Sequence, residues 1–281
     1  MTSLKSIETH HFDKFDLLPL SFSHINEFAF YRSRWALRRI FGYEFPTSAA
    51  AERGSAVESG LNMLFNGKDM KFASEKMHYQ FDENVKNIFD DKVESEKNSL
   101  NTLLENSWDY FTKQNWNLID YQKKVYTTIN DIPVIGYTDF HFEDKETKED
   151  FYVDLKTTKR LPNKISLSHA MQQSIYAKAT NARQNLVYSV YRKTKPVEVL
   201  PFALEDTQQP LKIATHIVRV MENYLATVES TDDVKLSIIP NPDDWLWNSV
   251  EDVNLVGNSI RVNHSLNARV FDKMAIWYFK H

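Results

Sequence analysis

The feature of this sequence that most restricts its fold is a change of hydrophobic period near residue 120. Up to that point apolar residues recur at helical spacing, and beyond it they recur every second residue, as in half-buried β-strands. Three strand-like runs follow one another at 121–130, 133–142 and 151–158. An Asn-Asp turn and the charged loop EDKETKED separate them, which predicts a three-stranded antiparallel meander.

Helices are predicted on both sides of the meander in the chain. Periodicity marks helical segments at 21–41, 47–66, 80–115, 166–180 and 207–228, and two further strands at 185–193 and 197–204. Within the third helical segment, the stretch DDKVESEKN is expected to be an exposed loop or kink. The order predicts one α+β domain over residues 1–281, with a central mixed β-sheet flanked by helices. Its parts are a helical N-terminal part (1–115), a sheet with its helix (116–205) and a helical C-terminal part (206–281).

Composition excludes several classes of site. The 281 residues include no Cys, which excludes a disulfide framework, a thiolate zinc site, a cysteine-ligated iron–sulfur cluster and a cysteine nucleophile. Lys and Arg number 34 against 38 Asp and Glu, a net charge of −4, so any binding of nucleic acid must use local basic patches. No apolar run reaches the roughly 18 residues of a membrane span, and the polar N-terminus is unlike a signal peptide. We therefore expect a cytoplasmic protein that does not enter a membrane.

The most informative stretch is the hairpin formed by the second and third predicted strands. A hairpin symmetric about the centre of its charged loop places Asp139 directly opposite Asp154, and Tyr137 opposite Lys156. One face then carries polar side chains: Tyr137, Asp139, His141, Tyr152, Asp154 and Lys156. The other face is largely apolar and is predicted to belong to the core: Thr138, Phe140, Phe142, Phe151, Val153 and Leu155.

Two carboxylates that face each other across neighbouring strands need a reason to coexist, because like charges directly opposite are destabilising. A divalent cation is one explanation, and an all-oxygen set of ligands suits Mg²⁺ or Mn²⁺. A carboxyl group held in its protonated form is the second explanation. The third is that Lys156 merely neutralises the pair. Hairpin geometry alone leaves these three explanations open.

The helix predicted after the hairpin offers two further polar groups. Its buried stripe is expected to consist of Leu167, Ala170, Met171 and Ile175. Gln172 and Tyr176 are four residues apart, so they share a helix face and can act together. Such a pair is usually an ordinary surface pair, and its interest here comes from following the hairpin closely.

These residues form an ordered series of short motifs. Gly136-Tyr137-Thr138-Asp139, Asp154-Leu155-Lys156 and Gln172-Gln173-Ser174-Ile175-Tyr176 resemble the successive motifs of the PD-(D/E)XK nuclease superfamily, and most closely its RecB-like, phage-type exonuclease branch. Upstream, Arg53-Gly54-Ser55-Ala56-Val57-Glu58 resembles the first motif of that branch, with Glu58 where many members have His. The resemblance covers roughly residues 50–180. Many RecB-like nucleases hold an iron–sulfur cluster with four Cys, and this chain has none.

The resemblance implies a restriction-endonuclease-like core and hydrolysis of a DNA phosphodiester with Mg²⁺ or Mn²⁺ as cofactor. It implies that Asp139, Asp154 and the backbone carbonyl of Leu155 bind the metal ion. Glu58 is expected to complete the set of ligands directly or through water.

The resemblance also assigns roles to the residues around the metal. Lys156 is expected to orient the attacking water or help deprotonate it. Gln172 and Tyr176 are expected to position Lys156, the water or the scissile phosphate. Four basic residues near these motifs are candidates for contacts to the DNA backbone: Arg53, Lys159, Arg160 and Lys164.

The branch that the motifs resemble favours an exonuclease acting in DNA processing, recombination or repair. An endonuclease is an alternative, and so is a nucleic-acid-binding protein of the same fold with an inactive site. An unrelated acid/base hydrolase that uses paired carboxylates, such as a glycosidase, is a third alternative, which the neighbouring Lys156 disfavours. DNA is the expected partner. A homo-oligomer of the chain and a recombination partner protein are further candidates.

Overall fold

Helices and strands follow one another along the chain nearly as the hydrophobic periods predict. The structure is a computed structural model that describes residues 11–42, 47–86, 88 and 91–237, and the backbone of two strands at 250–255 and 258–263. After a 3-10 helix at His11–Phe15, the described helices are α1 (Phe22–Phe30), α2 (Arg32–Arg39), α3 (Ala49–Phe65), α4 (Met70–Val85), α5 (Val93–Lys97), α6 (Leu100–Thr112), α7 (Leu167–Thr180), α8 (Gln208–Thr227) and α9 (Thr231–Ser237). The described strands are β1 (Leu20–Ser21), β2 (Trp116–Ile129), β3 (Ile132–Asp144), β4 (Asp150–Thr158), β5 (Arg183–Arg192), β6 (Lys195–Ala203), β7 (Val250–Leu255) and β8 (Asn258–Asn263).

Strand β3 is the branch point of a mixed sheet formed by β1 to β6. β2 pairs antiparallel with β3 along its whole length and so occupies one of its edges. The other edge is shared, because β1 pairs in parallel with Val134 and Ile135 while β4 pairs antiparallel with residues 140–143. β4 continues in parallel beside β5, with α7 as the crossover, and β5 pairs antiparallel with β6. The predicted α+β fold with a central mixed sheet is therefore confirmed.

The β3–β4 hairpin has the predicted register, but its ladder is short. Phe140 pairs with Val153, and the pairing ends there. Beyond this pair, β1 takes over the edge of β3 while β4 stays beside β5. Asp139 and Asp154 are the next residues on their strands, so they lie at a fork in the sheet.

The fork also corrects one predicted neighbour. Tyr137 lies beyond the last β3–β4 pair, and its cross-strand partner is Lys124 of β2. The expected pairing of Tyr137 with Lys156 does not form, because the two strands have already parted.

Two apolar cores hold the helices against the sheet. One lies between the β2–β3 hairpin and helices α1, α2, α7 and α8, and it includes Phe28, Trp35, Ile132, Met171 and Val218. The other lies between β3, β4 and helices α3, α4 and α6, and it includes Leu61, Phe81, Leu103, Phe140 and Phe151. The predicted apolar face of the hairpin thus belongs to the second core. No helix in the described ranges has the length and apolar character that crossing a membrane requires.

The segment predicted as one helix at 21–41 is broken at Tyr31. The backbone of Tyr31 (φ −145°, ψ 58°) is not helical, so α1 and α2 can pack on each other. The buried ring of Trp35 packs edge-on against Phe28, with 5.0 Å between the ring centroids. The buried carboxylate of Glu27 then binds three arginines of α2: Arg34, Arg38 and Arg39.

Three other expectations of secondary structure or burial are corrected. The stretch DDKVESEKN contains α5, and its Glu96 is buried because it pairs with the buried Arg53. Leu167 is exposed, since it is the first residue of α7 and lies before the stripe that packs on the core. The C-terminal part is not wholly helical, because the β7–β8 hairpin follows α9. The remainder of that part, at 238–249, 256–257 and 264–281, lies outside the described residues.

Gly136 allows α7 to approach β3 closely. A Cβ atom at Gly136 would lie 2.3 Å from Cε1 and 3.0 Å from Cζ of Tyr176. Real Cβ atoms do not approach a ring carbon so closely, so any side chain at 136 displaces the buried Tyr176 ring. The glycine of the Gly136-Tyr137-Thr138-Asp139 motif therefore makes room for the tyrosine of the helix motif.

We predict that Gly136→Ala lowers the free energy of unfolding by about 1–3 kcal/mol, because it overpacks the contact with Tyr176. Chemical denaturation of purified variants measures this change. Gly54→Ala is the matched control, since its added Cβ meets only Thr157 Oγ1 at 3.4 Å and alanine favours the α3 helix.

The cost of Gly136→Ala is expected to disappear largely in a Tyr176→Ala background, where the ring is absent. An equal cost in both backgrounds would show that the close approach of Tyr176 does not explain the glycine.

Candidate active site

The two carboxylates predicted to face each other lie at the fork between β3 and β4. Asp154 is 3% exposed and Asp139 is half-buried. Oδ2 of Asp139 accepts a hydrogen bond from the backbone N–H of Leu155 at 2.9 Å, as a strand carbonyl would in a regular ladder. Burial, and then the charges of Asp154 and Glu58, raise the pKa of Asp139 well above its ordinary value. The carboxylates therefore influence one another within a single poorly solvated site.

Lys156 supplies positive charge at the same fork. Its Nζ lies 2.6 Å from Oδ2 of Asp154. Burial disfavours the ammonium charge, but the attraction of Asp154 and Asp139 outweighs burial and raises the pKa of Lys156. Lys156 is therefore an ion-pair partner of the carboxylates, as expected if it neutralises part of their charge. A single ammonium group cannot balance more than one of them.

Glu58 brings a third carboxylate to the fork from α3. This helix begins after Ser48, whose hydroxyl accepts a hydrogen bond from the backbone N–H of Ala51. Burial is the main cause of a raised pKa at Glu58, and the charge of Asp154 acts in the same direction. The hydrogen bond that Gln122 Nε2 donates to Glu58 Oε1 at 3.2 Å opposes this rise.

The donor atoms at the fork fit a hard divalent cation. Oδ1 of Asp154 is buried and has no hydrogen-bond partner in the described part of the chain. With Asp139 and the carbonyl of Leu155, it offers the all-oxygen environment that Mg²⁺ and Mn²⁺ prefer. Among the described residues, however, no three His, Asp or Glu side chains already form a compact metal-binding group. The set that fits therefore consists of the two Asp side chains and the Leu155 carbonyl, with Glu58 acting through water or after a small movement.

Both predicted residues of α7 face this site. The amide of Gln172 donates a long hydrogen bond (3.4 Å) to the hydroxyl of Tyr176. Burial raises the pKa of Tyr176, and the charges of Asp154 and Asp139 add to the rise. The Tyr176 ring is seated against Gly136, three residues before Asp139. The helix motif and the hairpin motif are thus in contact.

Arg53 does not lie where a DNA contact would require. Its side chain is buried, with 3% of the residue exposed, and pairs with the buried carboxylate of Glu96. It also donates to Thr157, through Nε to Oγ1 at 3.1 Å and through Nη2 to the backbone carbonyl at 3.0 Å. The expectation that Arg53 contacts DNA is therefore corrected. Arg53 fixes α3, which carries Glu58, to the strand that carries Asp154.

The other three predicted contact residues follow β4 on the surface. Lys159, Arg160 and Lys164 are exposed. Lys159 pairs with Glu96 at 2.8 Å, so part of its charge is already engaged. Arg160 and Lys164 lie in the segment between β4 and α7, next to the site in the chain.

Sequence reasoning missed Gln122 of β2. The neighbouring pairs, Tyr121 with Phe140 and Lys123 with Thr138, put Gln122 across from Asp139. Gln122 has φ +50°, a left-handed conformation that is strained for a long side chain in a strand. Its amide contacts Glu58, so the unusual backbone coincides with the site. Nothing in the alternating pattern of β2 reveals this conformation.

His169 of α7 is a second residue that the motifs do not mark. Its Nδ1 lies 2.7 Å from the hydroxyl of Tyr188 on β5. Burial, and then the charge of Lys156, lower the pKa of His169. His169 therefore belongs to the immediate surroundings of Lys156, with a neutral ring at neutral pH.

The fold has a counterpart among solved structures. The crystal structure of a presumed exonuclease from Eubacterium rectale aligns with 90% of this chain and 97% of its own, with a TM-score of 0.51 and 14% sequence identity. At that identity the likeness shows the fold alone, and it supports the restriction-endonuclease-like architecture. The structure of SSO0001 aligns with 59% of this chain and 74% of its own at 12% sequence identity. Its TM-score of 0.31 is too low to support any conclusion about this chain. The sequences of curated proteins give no significant match.

The family comparison covers most of the chain. A sequence model of the PD-(D/E)XK nuclease superfamily matches residues 19–237. The match includes the helix with Glu58, the forked hairpin with Asp139 and Asp154, and the helix with Gln172 and Tyr176. The chain therefore belongs to the PD-(D/E)XK nuclease superfamily.

Proposed function

We propose that this protein is an Mg²⁺- or Mn²⁺-dependent deoxyribonuclease, with exonuclease action favoured, that hydrolyses phosphodiester bonds in DNA processing, recombination or repair. The observation that carries the proposal is the meeting of three interacting carboxylates, Glu58, Asp139 and Asp154, with Lys156 at one fork of the sheet. Burying more negative than positive charge is costly unless a proton or a further cation compensates it, and the raised pKa values of Asp139 and Glu58 show how strongly the site demands such compensation. A nuclease uses such a cation at the scissile phosphate.

The acidic residues would hold the metal ion. Asp139, Asp154 and the backbone carbonyl of Leu155 are the proposed ligands, and Glu58 would join them directly or through water. Gln122 and Tyr121 hold Glu58 by hydrogen bonds that favour its charged form. When bound, a divalent cation polarises the phosphate and lowers the pKa of a water molecule.

Lys156 would act on the water and the phosphate. One N–H of the ammonium group faces Asp154, which leaves two donors for other acceptors. These donors would orient the attacking water and stabilise the charge that develops on the phosphate oxygens. Asp154 would therefore have two roles, since it would bind the metal and it pairs with Lys156.

Gln172 and Tyr176 would position the reacting groups. Because the Tyr176 ring is packed against Gly136, its hydroxyl has a fixed location relative to β3. Gln172 contacts that hydroxyl and shares the helix face with it. The pair would orient Lys156, the water or the phosphate.

The choice of an exonuclease is supported by the motif order of the RecB-like branch and by the fold shared with the presumed exonuclease. The exposed basic residues Arg160 and Lys164, with Lys159, would contact the DNA backbone beside the site. A homo-oligomer, a recombination partner protein and a cytoplasmic location remain predictions.

We predict that Lys156→Ala lowers the rate of DNA cleavage by at least about 100-fold, because a preorganised donor to the transition state is lost. The measurement is single-turnover cleavage of end-labelled linear DNA in Mg²⁺, with a chelator expected to abolish cleavage by the wild type. Lys193→Ala is the control for general loss of charge, since Lys193 is exposed in the turn between β5 and β6 and is neither in the proposed metal site nor among the proposed DNA contacts.

Cleavage by Lys156→Ala at the wild-type rate would contradict the role of Lys156. Cleavage of DNA or of a glycoside that survives chelation would contradict the metal-dependent reaction. Wild-type binding of DNA without any cleavage would indicate a binding protein with an inactive site.

Whether cleavage needs a free DNA end is a separate prediction. An exonuclease is expected to degrade linear DNA and to leave a covalently closed circle of the same sequence intact, because only the linear form has ends. Comparison of the two substrates on one gel, with Mg²⁺ present, measures this preference. Equal degradation of both forms would favour the endonuclease alternative.

We predict that Gln122→Gly raises the Mg²⁺ concentration needed for half-maximal cleavage, because Glu58 loses its amide partner. The same change is expected to leave the melting temperature unchanged or higher, since glycine tolerates φ +50°. Lys148→Gly is the matched control, as Lys148 is an exposed residue with φ +61° in the β3–β4 loop. An unaltered Mg²⁺ requirement in Gln122→Gly would contradict a positioning role for Gln122.

A further inference from the structure

One face of the β2–β3 hairpin carries exposed tyrosines beside a lysine. The opposite face of the hairpin is buried in the first core through Val125, Ile129, Ile132 and Val134. The exposed face, called here the tyrosine face, consists of the cross-strand pairs Lys124–Tyr137, Tyr126–Ile135 and Thr128–Pro133. Tyr126 is 61% exposed and Tyr137 is 53% exposed. Two large rings therefore lie open to solvent on a rigid sheet.

The tyrosine face is positively charged within an acidic protein. The Nζ of Lys124 lies 5.1 Å from the centroid of the Tyr126 ring. The hydroxyl of Tyr126, and less strongly that of Tyr137, raises the pKa of Lys124, so this ammonium group is charged at neutral pH. None of the six residues of the face is acidic, although the chain carries a net charge of −4. The face therefore suits a partner with negative charge and flat apolar surfaces.

The tyrosine face continues into the active site. Tyr137 precedes Asp139 by two residues on β3, and alternate residues of a strand point to the same side. At about 3.3 Å per residue, the two positions are roughly 7 Å apart along the strand. A polymer lying over Tyr137 would therefore pass within two residues of Asp139, a proposed ligand of the metal ion.

We propose that the tyrosine face binds single-stranded DNA, with unpaired bases stacked on Tyr126 and Tyr137 and a phosphate held by Lys124, and that it leads the strand to Asp139. The inference rests on the proposed nuclease function and adds the form of the substrate to it. Bases offer their flat faces to protein rings only where they are unpaired, whereas a continuous duplex presents mainly phosphates and groove edges.

A second copy of this chain fits the tyrosine face less well. A twofold contact of the face with itself would bring the two Lys124 ammonium groups together without an acidic residue of the face to separate them. Single-stranded DNA provides both the anion for Lys124 and the rings for the tyrosines. Charge and shape thus favour the nucleic acid.

The test is the affinity of tyrosine variants for a fluorescein-labelled oligothymidine strand, measured by anisotropy in a Lys156→Ala background that prevents cleavage. Tyr126→Ala and Tyr137→Ala are each expected to weaken binding about tenfold, a typical loss for one stacked base. Tyr137→Phe is expected to restore wild-type affinity, since the ring remains. Both residues are exposed, so the fold should tolerate the changes.

Controls separate stacking from general effects. Tyr79→Ala removes a ring that is 66% exposed on α4, away from this face, and should leave binding unchanged. A covalently closed duplex of the same length should bind the tyrosine variants as well as it binds the parent protein. Lys124→Gln should weaken single-strand binding. It should also reduce the slope of log K against log[salt] by about one, as expected for the loss of one phosphate contact.

Wild-type affinity of both tyrosine variants for the single strand would overturn the inference, even if the protein proves to be a nuclease. An equal loss of duplex affinity would overturn it as a single-strand site. Light scattering would show whether Tyr126→Ala or Tyr137→Ala dissociates a dimer. Such dissociation would overturn the inference and show that a second copy of this chain occupies the tyrosine face. Tyrosine-dependent binding in a protein that never cleaves would support the inference and contradict the proposed nuclease function.

Discussion

The structure depends on the sharing of one edge of β3 between two strands. β4 holds residues 140–143 of that edge and β1 holds residues 134 and 135, so β3 and β4 part between them. Asp139 and Asp154 occupy the point where the strands separate. In a continuous antiparallel ladder their carboxylates would be forced together without backbone groups to stabilise them. At the fork, Asp139 instead accepts the freed N–H of Leu155, and the Asp154 carboxylate meets Lys156.

Elements outside the sheet fix the separation of the groups at this fork. Arg53 joins α3 to Thr157 through two hydrogen bonds and is itself paired with Glu96 of α5. Glu58 lies on the same helix as Arg53, and Thr157 directly follows Lys156. On the other side, the ring of Tyr176 occupies the space that a side chain at Gly136 would fill, which brings α7 against β3. The order of the motifs along this chain therefore corresponds to direct contacts between neighbouring elements.

The charge balance at the fork favours a role in catalysis for Glu58, Asp139, Asp154 and Lys156 over a role in stabilising the fold. Replacing a buried ion pair by apolar side chains is often neutral or stabilising, so a buried excess of carboxylates gives no advantage to the fold by itself. The buried and unpartnered Oδ1 of Asp154, among the described residues, adds to that cost. A divalent cation bound by the two Asp residues would remove both penalties. The same cation would supply the Lewis acid for the proposed phosphodiester hydrolysis.

Much of the fold was predictable because strand period and loop position are visible in the sequence. The centre of the charged loop sets the hairpin register, and Phe140 does pair with Val153. The fork was not predictable, because β1 has only two residues and no period of its own. The role of Arg53 was missed because its sequence neighbours do not reveal that its side chain turns inward to Glu96. The left-handed backbone of Gln122 has no signature in residue type, since glycine or asparagine is the usual choice there.

The most direct test of the account is whether Asp139 and Asp154 hold one divalent ion between them. Titration of the protein with Mn²⁺, followed by electron paramagnetic resonance, counts the bound ions without any need for cleavage. The account predicts a site in the wild type that Mg²⁺ displaces, that is lost in both Asp139→Asn and Asp154→Asn, and that is retained in Asp150→Asn at the far end of the same hairpin. Unchanged Mn²⁺ binding in either of the first two variants would contradict the shared metal site.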